Sequence, residues 1–433
     1  MVNKFAIALL VFWASTTDVK VADVQPVELV SLGILATGIL IFILKGFRIK
    51  LGKISAVLAK NYIIFSLVMM TLVCINLQQT FFVPGTATSI IKQPFWISLS
   101  RFIQLTMIYT SFLYLLECFR TEPRLLRFAI RIYVVTGIIS AVYGLVSYAI
   151  LRISGLDLYG AYDTYGLFRT KGFFVEGGPF GLYMLSVMIL KLFQGQIFNY
   201  KLRVTDYIHL VILFSAFVLS VSKSAILAMV MLVIFYQLVS RISIKAFILT
   251  VVVSLVMAPI LYKPIVLGIE IYQNDYQNFA QAVIDRPDDQ NLIMGRIAGS
   301  FIVPQMILQR PFLGVGLGNY SLTRNDPNYS RGIPAVEYWD LPGLGLLGYL
   351  AELGIPLTLY LIYLLCRPLI FGFTGKANAY VLTLLCFQLI DHLMGVQLTF
   401  IYPWIITAIA LGIIHHMPHT QLGKTARHDS AVV

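Results

Sequence analysis

Phe128–Ile150 reads FAIRIYVVTGIISAVYGLVSYAI, a run whose only charge is Arg131. As a helix, such a run is long enough to cross the ~30 Å hydrocarbon core of a bilayer, which takes about 20 apolar residues. Similar runs recur along almost the whole chain. Of its 433 residues, 58% are hydrophobic and 12% charged, against about 25% charged in a soluble domain. The pattern predicts an all-α, polytopic membrane helical bundle of about twelve spans. These are placed at 5–20, 28–44, 55–77, 97–117, 128–150, 177–195, 207–221, 224–240, 246–263, 344–366, 377–395 and 399–416.

The net charge of +12 would suit nucleic acid in a soluble protein. Here Lys and Arg follow the spans instead. With the N-terminus inside, alternate connections hold or border Lys45, Arg48, Lys50 and Lys53; Arg120, Arg124 and Arg127; Lys191, Lys201 and Arg203; Arg241 and Lys245; Arg367 and Lys376; and Lys424 and Arg427. That is the positive-inside pattern, and no nucleic-acid partner is expected. The first run, FAIALLVFWAS after Lys4, reads equally as a leader segment or a short first helix. Cys74, Cys118, Cys366 and Cys386 sit in or beside apolar runs, at no spacing that suggests zinc or redox chemistry.

Two connections on the opposite side stand apart, 151–176 and 264–343. They divide the chain into N-terminal spans (1–150), a first outer loop (151–176), central spans (177–263), a large outer loop (264–343), C-terminal spans (344–416) and an inner tail (417–433). A loop as long as the second should contain ordered pieces. GIEIYQNDYQNFAQAVID (268–285) and NLIMGRIAGSFIVPQMILQ (291–309) both have helical apolar spacing, and Pro304 is expected to kink or end the second. The same loop carries Arg286, Arg296, Arg310, Arg324 and Arg331.

Within it, RPFLGVGLGNYS (Arg310–Ser321) looks like a phosphate-cradling loop. A nucleotide P-loop needs Lys and a hydroxyl after its glycines, and a dinucleotide fingerprint needs a βαβ unit; both are missing. What remains is a glycine turn that either lets backbone approach a bulky ligand or simply reverses the chain. Around it lie GRIAGS with Arg296, then AVEYWDLPG (335–343), then LGLLGYLAELGIP (344–356). The first outer loop carries RTKGFFVEGGPFGLYM (169–184), and SVSKSAILA (220–228) holds Lys223 near the outer end of a helical hairpin.

In this order, over residues 165–360, these pieces resemble the bacterial family of O-antigen polymerases and ligases. The family shows an Arg followed by glycine and an aromatic, a Ser-x-Ser-basic element, an Arg-bearing helix, a Pro-x-x-Gly-x-Gly-x-x-x-Tyr/Phe turn and a Glu-Leu-Gly segment. Here the last two are PFLGVGLGNY (311–320) and Glu352–Gly354. The resemblance implies a polysaccharide repeat-unit polymerase. It would transfer a growing glycan from undecaprenyl pyrophosphate to another lipid-linked repeat unit at the periplasmic face of the bacterial inner membrane. Expected partners are the lipid-linked oligosaccharide, the bilayer, and the chain-length regulator and flippase of the same pathway, with no cofactor or metal. Arg169 and Arg296 are implied to bind the pyrophosphate, as planar guanidinium forks suit phosphate oxygens. Lys223 stands where the family more often has Arg, and it either offers a point charge or snorkels to the interface. Lys171, Arg310, Gly316, Asn319, Tyr320, Tyr338 and Trp339 complete the expected substrate-binding set.

Ligases of the family carry a His-Asn pair shortly before the Glu-Leu-Gly segment. That register here falls on Gly343 and Leu344, and neither outer loop contains histidine. This favours a polymerase over a ligase that attaches glycan to a lipid core. A lipid-linked sugar transporter is less favoured still, because no duplicated halves are visible. A base for the acceptor hydroxyl would be a carboxylate, with Glu337 and Asp340 first, Glu176 as rival and Asp391 behind them. Glu352 reads as a structural group at the start of a span.

Overall fold

The computed structural model describes residues 2–16, 25–45, 50–76, 93–164, 167–240, 277–286, 292, 296–330, 333, 335 and 345–416. Helices are α1 (Val2–Trp13), α2 (Pro26–Leu44), α3 (Lys53–Asn76), α4 (Pro94–Thr121), α5 (Pro123–Ser154), α6 (Gly177–Phe198), α7 (Val204–Leu219) and α8 (Lys223–Ser240). They continue as α9 (Phe279–Asp285), α10 (Arg296–Gln309), α11 (Tyr320–Thr323), α12 (Pro327–Ser330), α13 (Leu346–Thr374), α14 (Ala379–Leu393) and α15 (Tyr402–His416). The architecture is all-α but for one antiparallel hairpin, β1 (Ala161–Thr164) with β2 (Leu167–Thr170). That hairpin lies in the first outer loop and was not expected from sequence.

Seven described helices, α2 to α6, α8 and α13, are long and apolar enough to cross a membrane, and α7, α14 and α15 are shorter apolar helices packed among them. Helices stand at every expected span except 246–263, which lies outside the described residues, as do the inner tail and 268–276. Large apolar side chains such as Ile39, Leu67, Val211, Leu227 and Leu359 point outward along these helices. So much exposed apolar surface suits lipid rather than water, and the protein reads as a membrane protein.

The core runs through the bundle. Ile7, Leu10 and Val11 of α1 are fully buried within it, so the first apolar run is a packed helix here. Tyr62 stacks on Tyr109 at 4.0 Å, and Tyr109 and Phe112 meet Trp404. Pro304 does not end its helix. α10 continues to Gln309, with Pro304 on its exposed side, where a missing N–H leaves no carbonyl stranded in the core.

Contacts define the two ends. At one, Gly52 donates its N–H to Glu117 (2.9 Å), Arg120 pairs with Glu117 (2.7 Å) and His416 meets the Phe119 carbonyl (2.6 Å). Lys191 and Asp206 also pair near this end at 2.6 Å, with 7% and 11% of their side chains exposed. Gln194 accepts a further bond from Lys191 (3.2 Å), and Asp206 accepts the Arg203 N–H (2.8 Å). Lys191, read above as a marker of sidedness, thus clamps α6 to α7. Lys191→Met should lower stability by about 1–3 kcal/mol, between the loss for an exposed pair and for one deep in a core. Lys191→Met/Asp206→Asn should recover most of it, as read by thermal unfolding in detergent.

Candidate functional site

The opposite end carries both outer-loop systems. The 394–401 connection between α14 and α15 lies at this end as well. Phe174 packs edge-on against Tyr402 (6.2 Å), while Tyr349, near the start of α13, accepts the Leu398 N–H (3.2 Å).

The glycine turn docks on a break in α13. Gly354 has φ 71° and ψ 170°, which interrupts the helix inside its Glu-Leu-Gly-Ile-Pro segment. Pro356 has no N–H to offer the Glu352 carbonyl; the Gly316 N–H takes that carbonyl at 2.8 Å. The Ala351 carbonyl accepts from Val315 (2.9 Å), and the Ile355 N–H turns away to the Pro311 carbonyl (2.7 Å). Gly314, Gly316 and Gly318 all have positive φ. A Cβ on Gly314 would lie 2.4 Å from the Glu352 oxygen, and one on Gly354 2.4 Å from the Phe312 oxygen. The turn's Val315 and Gly316 amides are therefore engaged internally. The carboxyl it does meet belongs to the protein: the Tyr320 N–H donates to Glu352 Oε1 at 3.4 Å, and the Gly318 amide also reaches this group.

Beyond the turn, Asn319 is fully buried and bonds Ser98 Oγ of α4 (3.1 Å) and the Val315 carbonyl (3.0 Å). Tyr320 fills a small apolar cluster with Ile302, Met306 and Tyr329. Its hydroxyl has no hydrogen-bond partner among the described residues, and burial pushes its pKa up to about 12. Arg310 Nε donates to the Tyr329 hydroxyl at 3.1 Å. Arg324 caps α11 and is 1% exposed, and none of its three guanidinium nitrogens has a hydrogen-bond partner among the described residues. Burial draws its pKa below the ordinary arginine value. In sequence Arg324 is one arginine among five in the loop; only burial sets it apart.

In the first loop, the hairpin register sets Tyr162 opposite Arg169, with the guanidinium 5.5 Å from the ring centre. Arg169 Nε donates to the Ser220 carbonyl (3.0 Å), its terminal nitrogen to that of Val221 (3.4 Å), and Thr170 Oγ1 to that of Ala216 (3.1 Å). A cation at a helix C-terminus satisfies orphan carbonyls and the dipole together. Arg169 thus holds the α7–α8 turn. Gly177 and Gly181 let α6 approach that turn, since a Cβ would lie 2.8 Å from the Ser220 oxygen and 2.6 Å from Ser220 Oγ respectively. Ser222 Oγ accepts the Ala225 N–H (3.2 Å) at the start of α8, and Lys223 beside it is exposed. Lys171 is half-buried, its backbone N–H bonded to the Gly160 carbonyl (2.9 Å), and Glu176 is exposed at the N-cap of α6.

Other expected residues part company. Glu337, Tyr338, Trp339 and Asp340 lie outside the described residues. Arg296 opens α10, which packs on α12 and α13, whereas β2 packs on α5, α6 and α7. Arg169 and Arg296 are thus carried by different elements at the same end. Asp391 is fully enclosed, accepting a bond from the Tyr402 hydroxyl (3.1 Å), which ties α14 to α15.

Gly314→Ala should destabilise by at least about 1–2 kcal/mol from left-handed backbone alone, with the clash added, and speed proteolysis within 310–324. Gly178→Ala, with open space around its Cβ position, should leave cleavage unchanged. No protein-family model matches this chain and no curated protein matches it, so its functional reading rests on the residues and geometry above.

Proposed function

We propose that the protein is a membrane glycosyltransferase, a polymerase of polysaccharide repeat units. Its bundle would have about twelve spans in the bacterial inner membrane, with both large loops periplasmic. The observation that supports this reading is that two basic, aromatic loop systems lie at one end of the bundle, where Phe174 of the first meets Tyr402 and the glycine turn of the second docks on α13. The opposite end carries Arg120, Lys191 and Arg203, as a cytoplasmic face would.

The reaction needs only a hydroxyl, an anomeric carbon and a good leaving group. An acceptor sugar oxygen attacks the anomeric carbon of the donor glycan. The carbon–oxygen bond to undecaprenyl pyrophosphate breaks, and the hydroxyl proton passes to a carboxylate. Glu337 and Asp340 stay the preferred bases on sequence grounds, and exposed Glu176 is the described candidate. Arg296 and Lys223 would balance charge growing on the departing diphosphate, with Arg169 positioning the turn that presents Lys223.

Purified protein incubated with undecaprenyl-pyrophosphate-linked repeat units should yield oligomers and free carrier, and Arg296→Ala should lower the rate at least about tenfold, the equivalent of ~1.4 kcal/mol in transition-state binding. In cells, loss of the gene should leave single repeat units on the lipid core. Bare core with accumulated carrier-linked polymer would instead identify a ligase, and no turnover by folded protein would sink the enzyme reading.

A further inference from the structure

Lys60 lies about 10 Å along α3 from Lys53, at ~1.5 Å per residue, on a helix long and apolar enough to cross a membrane. An ammonium at that depth needs an anion, a polar partner or a route to the interface. Lys60 is exposed and forms no ion pair among the described residues. Side chains on a helix tilt toward its N-terminus, so the long Lys60 chain leads back toward the interface. There it lines, with Lys50, an open groove of about 680 Å³.

The rest of that lining is apolar. Leu51, Ala56, Ala59 and Ile63 contribute to it, and the two alanines leave room that larger side chains would fill. From the groove, an exposed apolar face continues along α3 through Ile64, Leu67 and Val68, at the three- and four-residue steps that keep to one side of a helix. Two cations thus stand where an apolar track begins. The chain entering α3 is fixed in place. Gly52 donates its N–H to Glu117 (2.9 Å), and a Cβ on Gly52 would lie 2.5 Å from Arg120 Cδ, so Lys50 and Leu51 are held against the bundle. Glu117, the acid beside this segment, is paired with Arg120 (2.7 Å) and leaves the two lysines to another anion.

We infer that this groove seats an anionic phospholipid, its phosphate between Lys50 and Lys60 and an acyl chain along Ile63, Ile64 and Leu67. A soluble phosphate would satisfy the lysines but leave the apolar track bare. A zwitterionic lipid would bring its own ammonium against them. An anionic lipid matches both halves, because its charge and its hydrocarbon are joined at the depth where the lysines give way to isoleucines. That the lipid belongs to the inner leaflet rests on the sidedness proposed above; the match itself rests on the groove.

The test reconstitutes the full chain in phosphatidylcholine nanodiscs with and without phosphatidylglycerol, then counts the lipid retained on extraction by native mass spectrometry. The wild type should keep phosphatidylglycerol in preference to phosphatidylcholine. Lys50→Gln and Lys60→Gln should each cut that preference several-fold, and both together at least about tenfold, as two charges beside an anionic head should. Ala56→Phe, which fills the groove and keeps both lysines, should lower retention too. Lys376→Gln removes an exposed cation beyond the end of α13 and should change nothing. Equal thermal midpoints in phosphatidylcholine will show that the variants fold, and phosphatidylglycerol should raise the midpoint of the wild type but not of the double variant. Unchanged preference in the folded double variant, or in Ala56→Phe, would overturn the site. An equal loss in Lys376→Gln would reduce it to the general attraction of a basic face and overturn it as well. Displacement of the lipid by glycerol phosphate would make a soluble anion the ligand instead. Turnover of lipid-linked sugars enters none of these readouts, so the groove and the polymerase reading stand or fall separately.

Discussion

A broken helix in a membrane protein must find new partners for the backbone groups it frees, because hydrocarbon offers none. α13 breaks at Gly354, and the glycine turn repairs it. Pro356 leaves the Glu352 carbonyl without its helical donor, and the Gly316 N–H replaces it; Val315 and Pro311 complete the exchange around Ala351 and Ile355. The fit is close enough that neither Gly314 nor Gly354 has room for a methyl group. Through this joint the large outer loop is fastened to the bundle, and Asn319, Tyr320 and Arg324 are carried to their places.

Polar groups elsewhere obey the same accounting. Lys191 and Asp206 satisfy each other between α6 and α7. Arg169 and Thr170 close the carbonyls at the end of α7, so an arginine expected on substrate grips the scaffold. The Glu352 carboxyl receives amides of the turn. Arg324 stands outside this rule among the described residues.

The two loop systems reach the end of the bundle by different means. The first uses a short hairpin whose arginine and threonine cap a helix, which leaves Lys223 at the surface beside it. The second uses the glycine turn. The first also reaches Tyr402 at the start of α15, while α13, on which the second docks, reaches the 394–401 connection through Tyr349.

Much of this was legible in residues alone. Runs such as Phe128–Ile150 determine helices in lipid, because length and apolarity suffice for that decision, and alternating Lys and Arg clusters mark the two ends. The motifs at 169–184, 220–228, 311–320 and 352–354 were each visible as unusual stretches. Their joining was not. A glycine turn looks the same in sequence whether its amides face a ligand or a neighbouring helix, and only the docking of 311–320 on Gly354 decided between them. The β1–β2 hairpin has no clear alternation to announce it, and the roles of Arg169 and Arg324 depend on which acceptors lie within reach. Composition and periodicity act along the chain, so sequence by itself determined a helical membrane bundle. Hydrogen-bond satisfaction acts across it, so only the tertiary structure decided which charged side chains are already spoken for.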